Sequence, residues 1–175
     1  LSILFCLGWC RGTPLDTIFG LPTHVLIVHA TVVLLPVAAI GALVITLRRS
    51  SIHRLGLAVS IVAVLGAAAA WISRLSGGEL ASRVGYPEPH IEYGRNLPIV
   101  ATVFAILVVV YWLFARGVPG NRSRPWWLMV LAVAVIVAAV GVTVATIVTG
   151  HSGSEAVWGA IIENTRPGQI PAPDQ

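Results

Sequence analysis

The sequence predicts an all-α polytopic membrane protein, a bundle of four transmembrane helices. Three observations predict it. Only 10% of the 175 residues are charged and 57% are hydrophobic, whereas an ordinary soluble domain is roughly a quarter charged. The mean hydropathy is +0.88. Four apolar runs each approach the roughly 20 residues that a helix needs to cross the hydrocarbon core, and none holds an Asp, Glu, Arg or Lys. Too little polar surface remains for a water-soluble enzyme, a DNA-binding domain or a disordered chain, so those classes are set aside.

In chain order, Leu1 to Cys10 is apolar but too short to span. The only Met is Met129, so an alternative start or a truncated or misplaced N-terminus is expected; residues 1–20 are set apart from the bundle, and Leu1 to Cys10 is expected to be a signal remnant or a start-site artefact. Cys6 and Cys10 have three residues between them, not the two of a redox or zinc pair, and no function is assigned to them. The first span is Val25 to Leu47, with Pro36 in its middle. Pro36 cannot donate to the carbonyl of Val32, so a kink is expected there. The second span is Leu55 to Ile72, the third Leu97 to Ala115 and the fourth Trp126 to Thr149. Soluble helices rarely stay apolar on every side for so long, and barrel strands would alternate. Gly41, Gly66 and Gly141 present small faces, suited to close helix packing or to a flat cofactor. The connection Ser73 to Asn96 is the longest. With the segment after Gly150 it is expected to cap the bundle, Ser154 to Glu163 forming a short interfacial helix. The transmembrane domain is placed at residues 21–160. Residues 161–175, with Pro167, Pro171 and Pro173, form a tail expected to fray.

A weak repeat runs through this order. Ser76-Gly77-Gly78-Glu79 follows the second span and Ser152-Gly153-Ser154-Glu155 follows the fourth. Two duplicated helical hairpins, both entering from one side, would produce it, and such repeats tend to place a site between them.

The charges orient the spans. The formal net charge is +4, and all 11 of the Lys and Arg residues are Arg. They do not form one basic stripe, so nucleic acid is not an expected partner. Arg48, Arg49 and Arg54 lie between spans one and two, and Arg116, Arg122 and Arg124 between spans three and four. Neither loop contains an acid; all 7 Asp and Glu residues fall on the other side. Both arginine loops are therefore expected to face the cytoplasm and both termini the outside. Trp126 and Trp127 match the inner boundary and Trp71 the outer one.

Four of the 5 histidines map to the outer side: His24, His29, His90 and His151. Three separate chain segments thus bring imidazole to one membrane face. His29 lies about 7 Å deeper than His24 at the helical rise, where an ionisable residue tends to face the bundle interior with a partner. It is either a neutral ring bonded to a backbone carbonyl or to Thr31, or a ligand to iron or another metal. His24 and His29 are about 140° apart on a regular helix, so each would pair across the bundle with His90 or His151. That suits an axial pair on haem. It also suits a zinc or copper site of His29, His90 and His151 with Glu155 or Glu79 supplying a carboxylate.

The string Gly20-Leu21-Pro22-Thr23-His24-Val25-Leu26-Ile27-Val28-His29, then Leu34-Leu35-Pro36, resembles a bacterial family of four-helix membrane proteins, the domain-of-unknown-function family twenty-two thirty-one. Gly150-His151-Ser152-Gly153-Ser154-Glu155 resembles the Gly-His-x-Gly-Gly-Glu string that closes its fourth span, with Ser154 where Gly is usual. Val25 stands where the family usually has Pro. The resemblance covers roughly residues 18–160 and carries over His24, His29 and His151, and His90 less directly. It implies a bacterial cytoplasmic membrane, and fusions and neighbourhoods with Rieske-type and c-type cytochrome modules.

Taken together, the expected function is a small electron-transfer protein. It would hold haem b through His24, His29, His90 and His151 near the extracytoplasmic face. Its partners would be a quinone and an extracytoplasmic redox protein. The alternative is a structural or assembly subunit with a zinc or copper ion. A transporter is disfavoured because no span carries a central acid or Arg. No hydrolase or transferase motif is present, neither His-Glu-x-x-His nor Gly-x-Ser-x-Gly.

Overall fold

The computed structural model describes residues 17–18, 21–84, 88–119 and 123–165. Cys6 and Cys10 lie outside the described residues. A minimal antiparallel pair, β1 (Thr17–Ile18) and β2 (Leu21–Pro22), precedes the bundle, with Thr17 opposite Pro22. Four helices follow: α1 (Thr23–Leu47), α2 (Ile52–Val84), α3 (Glu88–Ala115) and α4 (Trp126–Asn164). All four are long and apolar enough to cross a membrane. The chain is a multi-pass integral membrane protein whose outer surface meets the lipid bilayer.

Helix is the form that such runs must take in lipid, because every backbone polar group has to be satisfied within its own segment. The hydroxyls obey the same constraint. Thr46, Ser60, Thr143 and Thr146 each donate to the carbonyl four residues earlier on their own helix. α1 and α3 run as single helices through Pro36 and Pro98. A 3-10 turn, Arg49–Ser51, joins α1 to α2.

The helices close a ring in which α1 touches α2 and α4, and α3 touches α2 and α4. α1 therefore faces α3 across a diagonal. The core combines Leu35, Phe104, Tyr111, Leu128 and Val135 with many alanines, among them Ala38, Ala42, Ala63, Ala101 and Ala139. Small residues let helix backbones approach, and in a bilayer packing of this kind stabilises association in place of water exclusion. Val33, Ile40, Ile106, Val133 and Val137 point outward, where lipid covers them. Of the three expected small faces, two are packed. A Cβ on Gly41 would lie 2.6 Å from Val59 and one on Gly66 2.8 Å from Leu35, whereas Gly141 meets nothing within 4 Å.

Three expectations about the outward side are corrected. The stretch Ser73–Asn96 is no long loop, because α2 continues to Val84 and α3 begins at Glu88. The segment Ser154–Glu163 is not a separate interfacial helix but the last turns of α4. That helix also takes in residues 161–164, which the sequence placed in the tail. The reason is that a hydropathy run ends where lipid ends, whereas a helix ends where its backbone is interrupted. At 33 and 39 residues, α2 and α4 are roughly 50 and 58 Å long at the helical rise. A hydrocarbon core of about 30 Å cannot contain them.

Candidate functional site

The end of the bundle away from the two arginine loops holds a pair of imidazoles. His24, in the first turn of α1, and His90, in the first turn of α3, approach across the diagonal with ring centroids 6.4 Å apart and planes at 79°. Both are half-buried. Each rests on the neighbouring helix of its own hairpin. His24 Nδ1 lies 2.9 Å from the Ser73 carbonyl and 3.5 Å from Ser76 Oγ. His90 Nδ1 lies 3.2 Å from the Thr149 carbonyl and 3.2 Å from Ser152 Oγ.

These contacts assign the protons. A carbonyl can only accept, so each Nδ1 carries the hydrogen and donates it. The serine hydroxyls give their own hydrogens to α2 and α4 carbonyls: Ser76 to Ile72 at 2.9 Å, and Ser152 to Thr149 at 2.9 Å. Their oxygens are thus turned toward the rings as acceptors. In its neutral form each imidazole then has its lone pair on Nε2, the form that ligates a metal when Nδ1–H is held by a carbonyl.

The two halves are equivalent. A Cβ on Gly77 would lie 2.9 Å from His24 Cε1, and one on Gly153 would lie 2.9 Å from His90 Cε1. Only glycine lets the ring lie flat against the helix here. The acceptors and glycines read Ser73-x-x-Ser76-Gly77 in α2 and Thr149-x-x-Ser152-Gly153 in α4. The sequence repeat already touched these strings, but Ser73, Ser76, Thr149 and Ser152 were not recognised as imidazole partners. The shared Ser/Thr-x-x-Ser-Gly pattern was the signal available for finding them.

The other expected site residues do not join the pair. His29 is exposed on the lipid-facing side of α1, and its Nδ1 is bonded to the Val25 carbonyl one turn back. That is the backbone-bonded alternative read for it in the sequence. His151 and Glu155 are exposed on α4. His151 directly precedes Ser152, but the intervening 100° of helical rotation turns it away. The side chain of Glu79 lies outside the described residues. Among the described residues no group of three or more His, Cys, Asp or Glu is placed to hold a metal ion. Of the four expected imidazoles, the structure brings His24 and His90 together.

Surrounding contacts stiffen this end. Arg74 lies 5.3 Å from the centre of the Trp71 ring and donates to the Arg95 carbonyl at 3.3 Å. Trp71 donates to Thr102 Oγ1 at 3.0 Å, linking α2 to α3. Thr31 Oγ1 lies 3.3 Å from Ser73 Oγ. Thr23, which precedes His24 in the chain, is only 2% exposed, and its hydroxyl has no hydrogen-bond partner among the described residues. A buried hydroxyl left unpaired costs about 1–3 kcal/mol.

Fold and site together define a polytopic four-helix membrane protein with a diagonal histidine pair at one end. The chain belongs to the predicted membrane protein family DUF2231, whose model matches residues 20–166. No curated protein and no solved structure matches it.

Proposed function

We propose that the protein is a membrane electron-transfer component that holds one haem b through His24 and His90. The observation that carries this reading is the diagonal pair with both Nδ1 atoms anchored and both Nε2 atoms left as ligands. The donor set fits the group. Haem iron takes imidazole as a protein ligand, and His24 and His90 would be the residues that hold it. Zinc asks for three or four protein ligands. When bound, the haem would supply one-electron chemistry. The chain's own part would be to fix the tautomers through the Ser73 and Thr149 carbonyls and to orient the rings against Gly77 and Gly153. A quinone in the bilayer and a redox protein outside it would be the exchange partners. His29, His151 and Glu155 would serve outside the first coordination sphere.

Purified protein from cells supplied with haem is expected to show a Soret band, a reduced-minus-oxidised spectrum of the b type, and iron in stoichiometric amount. A colourless, iron-free preparation would sink the proposal. Stoichiometric zinc or copper without iron would favour the structural subunit instead. A second reading, that the imidazoles are only staples between helices, is favoured by the same Nδ1–carbonyl bonds. The optical spectrum separates the two, and Thr23→Val asks in addition whether the buried hydroxyl takes part. If nothing binds, removing an unpaired buried hydroxyl is expected to leave stability unchanged or raise it by up to about 1–3 kcal/mol. If a ligand uses the hydroxyl, the variant loses haem more readily than the wild type, read as the rate of transfer to an apo-globin.

The imidazole end is taken to face outward and the arginine end inward, on the excess of Arg in the two short loops. Alkaline phosphatase fused after Thr165 should be active and the same enzyme inserted at Ser123 inactive. The opposite pattern would reverse the topology.

A further inference from the structure

The end of the bundle opposite the imidazoles carries the two arginine loops. The structure stitches them together. Arg49 donates to the carbonyls of Val118 and Pro119 in the other loop. Arg124 donates to the Thr46 carbonyl at the end of α1, at 2.7 Å. These bonds hold Arg49 against the α3–α4 loop and Arg124 against the end of α1. A neutral carbonyl directs a guanidinium but does not cancel its charge, and neither loop contains an Asp or Glu. Arg48, Arg54 and Arg116 are exposed.

The surroundings fix the depth of this patch. Arg116 lies 4.8 Å from the centre of the Trp112 ring. Trp126 is 77% exposed, and Trp127 packs edge-on against Phe114 with centroids 5.4 Å apart. Exposed indoles beside apolar spans mark the headgroup level. An open depression of about 600 Å³ lies within the α3–α4 loop, lined by Gly117, Val118, Pro119, Ser123 and Pro125. Arg49 reaches its wall through the Val118 and Pro119 carbonyls. Clustered guanidinium charge at this depth needs anions, and the anions resident there are lipid phosphates, which the planar guanidinium fork matches in shape.

The geometry points to a binding patch for the headgroup of an anionic phospholipid at the arginine end of the bundle, drawing on the exposed Arg48, Arg54 and Arg116. It is independent of what the imidazole pair binds.

The test uses the full chain in detergent, with lipid retention read by native mass spectrometry and thermal unfolding followed in parallel. Phosphatidylglycerol is expected to be retained and to raise the unfolding midpoint, and phosphatidylcholine to do neither. Inorganic phosphate at the same concentration should leave the midpoint unchanged. The combined variant Arg48→Gln, Arg54→Gln, Arg116→Gln should lose roughly fivefold in phosphatidylglycerol affinity for each arginine removed. Arg95→Gln, at the other end, should lose nothing. Equal retention of the two lipids, or a triple variant with unchanged affinity, overturns the proposal. Stabilisation reproduced by inorganic phosphate overturns it in favour of a free-anion site. Should the Gln variant fail to fold, the corresponding Lys variant and the salt dependence of the wild type decide. Retained preference and affinity falling with salt support the patch; loss of preference with charge retained, or salt-independent affinity, counts against it.

Discussion

His24→Ala and His90→Ala are each expected to abolish the b-type spectrum, while His29→Ala and His151→Ala keep it at near wild-type intensity. The asymmetry follows from the contacts. His24 and His90 are the two rings that meet across the bundle, each held by a carbonyl of the neighbouring helix. His29 spends its Nδ1 on its own helix, and His151 is exposed. Iron with one axial imidazole should shift to a high-spin spectrum or lose the group altogether, so each single variant is informative. Gly77→Ala and Gly153→Ala should act on the same readout without removing a ligand. Each adds a methyl 2.9 Å from an imidazole carbon, so the ring must turn or the helices must part. The expected result is a partial loss of bound haem in both variants, similar in size because the two half-sites are alike. A full-intensity spectrum in His90→Ala would rule out the axial assignment. Equal loss in all four His→Ala variants would indicate collapse of the fold rather than a specific pair.

Gly41→Ala is expected to destabilise the bundle by about 1–3 kcal/mol, the usual cost of overpacking a close-packed core. The new methyl would lie 2.6 Å from one γ-methyl of Val59 and 3.2 Å from the other. A β-branched side chain cannot turn both methyls away, because rotation about χ1 exchanges one for the other. The α1–α2 seam has to open instead. Gly141→Ala is the matched control. That position has open space around it, and Ala is better than Gly in a helix by roughly 0.5–1 kcal/mol, so this variant should be neutral or slightly more stable. Unfolding in graded detergent mixtures would measure both. A neutral Gly41→Ala would mean that the two helices are not as close as described.

Much of the fold was legible because its signals are local. Each span could be read from a run of side chains that water would not tolerate, and the four helices contain all four runs. The ends of the helices were less legible. Arg74 and Glu155 follow the ends of the apolar runs but lie within α2 and α4, since charged residues in the water layer support a helix as well as apolar ones do in lipid. The site was half legible. That histidines gather on one side follows from counting along the chain, and the Ser-Gly repeat hinted at two similar halves. His24 and His90 are 66 residues apart, whereas Ser76 and Ser152 are 76 apart, so the two half-sites do not align under one repeat period. Gly41, Gly66 and Gly141 looked interchangeable in sequence, and only the packing told them apart.

The sequence by itself determined that this is a four-span membrane protein, which of its loops carry the positive charge, and which end collects imidazole. These depend on composition within about 20 residues and on the cost of placing charge in hydrocarbon. Only the tertiary structure decided that α1 lies opposite α3, that His24 and His90 therefore meet, and that His29 turns to the lipid side. A side chain's partner across a bundle depends on helix rotation and on the order of helices around the ring. No local stretch encodes either, because both are settled by how small and large residues interlock among all four helices.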